Sequence, residues 1–208
     1  MALERQIKSS PLRGQSRAAW RGSWLLASTA LSAVLAHAAP ARAQGLSSTA
    51  TPQGGVVVGG NASIAQATGS TTITQSSDRA AINWQSYNVG SNAQVTYVQP
   101  SSSAVTLNRV VSPDPSVIAG HISANGQLVL INQSGVVFTK GAEVNAQAIL
   151  VSTSNIADSD FMAGKMAFTG TPNPGAKIVN DGKLTAGQAG LVGLVAPQVA
   201  NNGVITAR

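Results

Sequence analysis

Residues 122–153 read ISANGQLVLINQSGVVFTKGAEVNAQAILVST, and this stretch decides the fold. Asn125-Gly126 marks a turn, and Leu128, Val129, Leu130 and Ile131 follow as a β-rich apolar run too short for a helix. Asn132-Gln133-Ser134-Gly135 turns the chain again before Val136, Val137 and Phe138. Lys140-Gly141 makes a third turn, after which come Val144 and the run Ala148, Ile149, Leu150 and Val151. Short strands separated by Gly or Asn corners suit a chain that coils around itself and buries side chains in a shared interior.

Outward from this block the pattern persists. Val56, Val57 and Val58 lie between Gly54-Gly55 and Gly59-Gly60 and predict one short strand. Thr71, Thr72, Ile73 and Thr74 continue in β-branched residues, and Ile82 and Trp84 alternate with polar neighbours as in a half-buried strand. Val95 with Tyr97 and Val105 with Leu107 repeat the alternation. After Pro113 and Pro115, Ser116-Val117-Ile118 reads as one helical turn at most, and no amphipathic helix of useful length is expected after residue 43. An internal echo relates Val179–Ala186, VNDGKLTA, to Ala200–Ala207, ANNGVITA, at an offset of 21 residues. A coil of ~21 residues with neighbours at ~4.8 Å predicts roughly seven or eight coils. The echo stops at Arg208, which reads as an open end and a truncated or opening piece of something longer.

The charge is unevenly placed. Residues 1–43 hold six bases (Arg5, Lys8, Arg13, Arg17, Arg21, Arg42) against Glu4, so five of the net six positive charges sit there. The remainder carries seven bases against six acids, with no basic stripe interleaved with aromatics, and nucleic-acid binding is not expected. A basic leader ending at Arg21, an apolar run from Trp24 to Ala36 and the small residues Ala41 and Ala43 around Arg42 form a signal peptide over 1–43. That run falls short of the ~20 residues of a spanning helix. Passage through the general secretion translocon follows, with residues 44–53 expected as a flexible lead-in. Cysteine is absent, so no disulfide holds the exported chain.

Catalysis finds little support. His121 is the single histidine after residue 43, Asp158 and Asp160 lack the Gly and Glu of a calcium loop and read as loop solvation, and the remaining acids are scattered. No cofactor is expected.

Thr106–Val110 (TLNRV), the block from Ser116 to Thr153, Asp160–Gly164 (DFMAG) and the tryptophan-bearing Ala81–Gly90 (AINWQSYNVG) resemble the N-terminal two-partner-secretion domain of filamentous haemagglutinin-type exoproteins. Together they span most of residues 54–208. The family's Asn-Pro-Asn-Gly-Ile hallmark falls on Asn132-Gln133-Ser134-Gly135-Val136, which keeps the Asn, the Gly and a β-branched residue but not the Pro or second Asn. The Asn-Pro-Asn-Leu hallmark is not found. The long basic leader is similar to the extended signal peptides of such proteins.

The resemblance implies an all-β fold, a right-handed parallel β-helix with N-terminal capping strands. It implies recognition in the periplasm by a TpsB-type outer-membrane transporter through its POTRA modules, passage outward unfolded, and folding at the cell surface. Asn108 and Asn132, Gln133, Ser134, Gly135 and Val136 are the candidates for partner recognition or early nucleation, although Asn and Gly are also ordinary corner residues. Trp84 is expected in the core or cap, and Asn108 in a ladder of buried asparagines. Two readings stay open beside it: a stand-alone surface adhesin whose β-helix flank binds host glycan or matrix, and a β-helical polysaccharide-degrading enzyme.

Overall fold

The computed structural model describes residues 45–207. The expected signal peptide over 1–43 and the expected cleavage positions Ala41 and Ala43 lie outside the described residues. In chain order the elements are β1 (Val56–Gly59), β2 (Ala62–Ala67), β3 (Ser70–Gln75), β4 (Arg79–Trp84), β5 (Gln94–Val98) and β6 (Val105–Val110). β7 (Ser116–Ile118), β8 (His121–Ala124), β9 (Gln127–Ile131), β10 (Val136–Phe138), β11 (Glu143–Ala146) and β12 (Ala148–Ser152) follow. Then come the helix α1 (Asp158–Met162), β13 (Lys177–Asn180), β14 (Lys183–Ala186), β15 (Val192–Val195), β16 (Gln198–Asn201) and β17 (Val204–Thr206).

These strands wind into a parallel β-helix with three faces. One sheet runs β1-β4-β6-β9-β12-β15, a second β16-β13-β10-β7, and a third β17-β14-β11-β8-β5-β3-β2. All neighbours pair in parallel except β1 on β4 and β2 on β3, which are antiparallel and form the N-terminal cap. Repeated coils place Leu128 beside Ile149 and Val192, and Ile122 beside Val144 and Leu184. The solenoid makes about six turns, not seven or eight. Residues 153–176 make an excursion between β12 and β13 that adds no coil, and the cap strands consume chain without winding.

The 21-residue echo is real in space: β13 stacks on β16 with Asn180 beside Asn201, whose side-chain amides bond at 2.7 Å. Ser116–Ile118 is a strand, not a helical turn, because Asn132 and the β10 ladder hold it extended beside Val136–Phe138. Residues 47–53, expected as a flexible lead-in, are tied down by backbone bonds. Gly90 N donates to Ala50 O at 2.9 Å, Asn92 N to Ser48 O at 2.7 Å, and Gln53 pairs with Ser86. Gly90 permits the crossing, since a Cβ there would strike the Ser47 and Ser48 carbonyls.

Two apolar clusters result. The interior holds Ile73, Ile82, Trp84, Tyr97, Ile122, Phe138 and their neighbours. The second lies outside the first sheet, where Ile156 and Phe161 of the excursion cover Ala81, Leu107, Val129 and Ile131. β6 is therefore buried on both faces, and β4 is covered on its outer face at Ala81 while Arg79 and Asn83 stay half-buried, so Ile82 and Trp84 sit on a strand more covered than the alternation predicts. α1 has no side-chain N-cap, but Asp158 and Asp160 occupy its first turn and Phe161 anchors it. Each large apolar side chain so buried contributes roughly 1.5–3 kcal/mol.

Candidate functional site

The corner between β9 and β10 carries five of the six candidate residues. Asn132 is fully buried, and its backbone N–H donates to Ser152 O at 3.0 Å on the next coil. Its Nδ2 donates to Asp114 O at 3.0 Å and Ser116 Oγ at 2.9 Å on the preceding coil, while its Oδ1 accepts from Ser134 N at 2.9 Å. The last bond closes an Asx turn, and Gly135 N completes the corner by donating to Asn132 O at 3.0 Å. Asn132 thus joins three coils through its N–H and Nδ2, and closes its own corner through Oδ1 and its carbonyl.

Gly135 has φ +108°, and a Cβ there would lie 2.5 Å from Lys177 O. Left-handed backbone and close approach both require glycine. Val136 is buried and pairs with Ser116 and Ile178. Only Gln133 and Ser134 reach the surface, and both are gripped by the excursion. Gln133 Nε2 donates to Thr171 O, Asn173 N donates to Gln133 O at 2.8 Å, and Asn173 Nδ2 donates to Ser134 Oγ at 2.8 Å. Asn173-Pro174-Gly175 makes a second corner of the same kind, with Ala176 N donating to Asn173 O at 3.0 Å and Gly175 at φ +75°. Its Asn-Pro-Gly signal was available in the sequence.

Beside this corner opens a polar pocket of about 370 Å³ lined by Arg109, Ser112, Gln133, Asn155 and Asn173 among others. Arg109 is its hub. Its Nε donates to Asn155 Oδ1 at 2.7 Å, its Nη1 to Asn83 Oδ1 at 3.1 Å, and its Nη2 to Ile156 O at 2.7 Å. Nη1 also pairs with Asp158 Oδ1 at 2.6 Å. Asp158, read from sequence as loop solvation, instead fastens the excursion to β6. The spacing of Arg109 and Asp158 carries no periodicity that predicts this pairing.

Asn108 lies elsewhere, buried inside the first coils. Its Oδ1 accepts from Trp84 Nε1 at 3.0 Å and from Tyr97 OH at 2.8 Å, and the Tyr97 hydroxyl meets that of Tyr87 at 2.7 Å. It does not ladder with other asparagines, because the facing residues on β4 and β9 are Ile82 and Leu130. Burial raises both tyrosine pKa values well above the ordinary range, with the neighbouring Tyr87 adding to the rise at Tyr97. The four side chains form a satisfied polar cluster that fixes the register of the opening coils. The candidate residues thus divide between an interior cluster and a surface corner. No group of three or more His, Cys, Asp or Glu that could hold a metal occurs among the described residues.

The profile of the TPS secretion domain matches residues 48–208. The chain belongs to the TPS secretion domain family. The HMW1 secretion domain from Haemophilus influenzae, solved as a crystal structure, superposes with a TM-score of 0.69 at 34% identity, over 75% of this chain and 42% of that one. A heme/hemopexin-binding protein of Haemophilus influenzae is 38% identical over 98 residues, 47% of this chain and 11% of the relative. Its counterpart in strain ATCC 51907 / DSM 11121 / KW20 / Rd is 36% identical over 105 residues, 50% of this chain and 12% of the relative. The TPS domain therefore corresponds to a small part of these curated relatives. Family membership makes the chain a secretion domain of a two-partner-secretion exoprotein, with a TpsB transporter as the implied partner.

Proposed function

We propose that this domain is the address by which a larger exoprotein is selected for export. After crossing the inner membrane through the general secretion translocon, it is read in the periplasm by the POTRA modules of its outer-membrane transporter. It passes outward unfolded and nucleates β-helix formation at the cell surface. The observation that carries this reading is the Asn132–Val136 corner. The sequence resemblance sets it against the family's Asn-Pro-Asn-Gly-Ile hallmark, of which it keeps the Asn, the Gly and a β-branched residue, and it joins three successive coils through one buried asparagine.

Physical considerations support such a route. Each coil packs mainly on its neighbours, so the chain can fold progressively as it emerges. No disulfide can form to lock it in the periplasm. While extended, its β-prone segments offer backbone groups for strand addition to a transporter module. The larger exoprotein is read as adhesin- or haemagglutinin-like. Heme or hemopexin binding is named for relatives of which this domain matches only 11–12%, and it is not carried over.

The test is export of Asn132→Ala and Gly135→Val from cells with and without the cognate transporter. Export of the wild type requires the transporter, and both variants reduce it severalfold. Unchanged export of both variants discards the corner as a recognition or nucleation element.

A further inference from the structure

The third sheet presents an outward column of polar side chains away from the Asn132–Val136 corner. Thr72 pairs with Thr96, Thr96 with Ser123, Ser123 with Asn145, Asn145 with Thr185, and Thr185 with Thr206. Six successive strands therefore place a hydroxyl or amide side chain in register, at the strand spacing of ~4.8 Å. Their immediate neighbours Val95, Ile122, Val144 and Leu184 point inward and are buried, which fixes the column on the outer face.

Toward the C-terminal end of these strands the column deepens into a groove of about 690 Å³, lined by Asn125, Asn145, Gln147, Thr185 and Gln188 with the small residues Ala124, Ala146, Ala186 and Gly187. Nothing in the lining is charged. The Thr185 hydroxyl is shielded from solvent yet has no hydrogen-bond partner in the protein. Gln147 is held in place by donating its Nε2 proton to Gln188 O at 2.7 Å, and Asn125 is fixed by a reciprocal pair of bonds to the Gln99 backbone at 2.7 Å each. The adjoining column carries His121, Glu143 and Lys183, so an acid and a base stand side by side and give no single-sign field for an anion.

We propose that this groove binds a neutral, linear polysaccharide laid along the solenoid axis. A repeated array of neutral donors and acceptors matches a ligand that repeats hydroxyl groups along its length. Small residues beneath let a flat sugar ring approach the sheet. A peptide is less suited, because the backbone of these strands is already laddered on both sides and offers no edge. No aromatic side chain lines the groove, so each ring adds little and the affinity is in the millimolar range.

The proposal is independent of the transporter. The folded full chain, labelled with ¹⁵N, is titrated with neutral hexasaccharides of glucose and of N-acetylglucosamine, with a sulfated hexasaccharide, and with an unstructured uncharged peptide. A neutral hexasaccharide is expected to shift the side-chain amide signals of Asn125, Asn145 and Gln147 saturably. Thr185→Val and Asn145→Ala are expected to weaken it about tenfold or more without altering the thermal midpoint, and Thr185→Ser to retain it. The proposal is overturned if no neutral hexasaccharide shifts these signals, if only the sulfated sugar does, if the peptide shifts them equally, or if Thr185→Val and Asn145→Ala leave binding unchanged. Export of the Thr185→Val chain at the wild-type level keeps this outcome separate from the secretion reading.

Discussion

Tyr87 and Tyr97 show how much a single buried polar cluster constrains this protein. Their hydroxyls are satisfied by each other and by Asn108, so they cost little while protonated and a great deal if ionised. Both pKa values are raised in the folded state, mainly by burial. Below pH of about 10 both states keep the protons and stability does not depend on these groups. Above it the unfolded chain releases them while the folded chain holds them, so stability falls as pH rises. The slope approaches about 1.4 kcal/mol per pH unit for each tyrosine. Urea midpoints measured between about pH 8 and pH 11 should fall, and the fall should be smaller in Tyr97→Phe. A flat profile would show that the pair is not buried in the native state. Asn132 makes the complementary point. Its role in the corner is structural at the atomic level, because no polar atom of it is left for a partner, so a partner that reads this corner touches Gln133 or Ser134.

At the scale of the element, the excursion of residues 153–176 is a strap fastened at two places. Arg109 and Asn155 hold one end through charge-assisted bonds, and Gln133 with Asn173 holds the other. Between them Phe161 fills the space over Ala81, Leu107 and Ile131, with the Arg79 guanidinium 5.4 Å from its ring. Phe161→Ala should cost about 3–5 kcal/mol by opening this second cluster. Limited proteolysis within 153–176 should accelerate well before the interior cluster unfolds, as followed by Trp84 fluorescence. If cleavage and Trp84 fluorescence change together, the strap and the solenoid are one cooperative unit.

For the molecule as a whole, the parallel stacking of coils gives a direct test of unfolded passage. Asn180 and Asn201 are in register on β13 and β16, and neighbouring strands lie ~4.8 Å apart, within the range a disulfide spans. In a chain carrying both Asn180→Cys and Asn201→Cys, docked coils hold the two thiols within bonding reach, whereas an extended chain must first close a loop of about 20 residues and links them more slowly. If the domain crosses the outer membrane unfolded, the double variant should be exported at near the wild-type level and acquire its disulfide outside the cell. A periplasmic disulfide formed as fast as in the folded domain, and faster than in the same chain held in urea, would mean that these coils dock before crossing.

The alternation of short apolar runs with Gly and Asn corners was enough to determine a β-solenoid, the strands β9 to β12, and the stacking of the VNDGKLTA echo, because these depend on local turn chemistry and a period repeated along the chain. The corner Asn132–Val136 was legible for the same reason, as were the buried positions of Trp84 and Asn108. The tertiary structure alone decided what these residues touch: Asn108 with Trp84 and Tyr97 in place of an asparagine ladder, Asp158 with Arg109, residues 47–53 bonded across Gly90, and Ser116–Ile118 drawn into a strand. Each of those joins residues far apart in sequence, or lets a neighbouring coil override a weak local preference. No pattern along the chain encodes such pairings, which exist only once the coils are stacked.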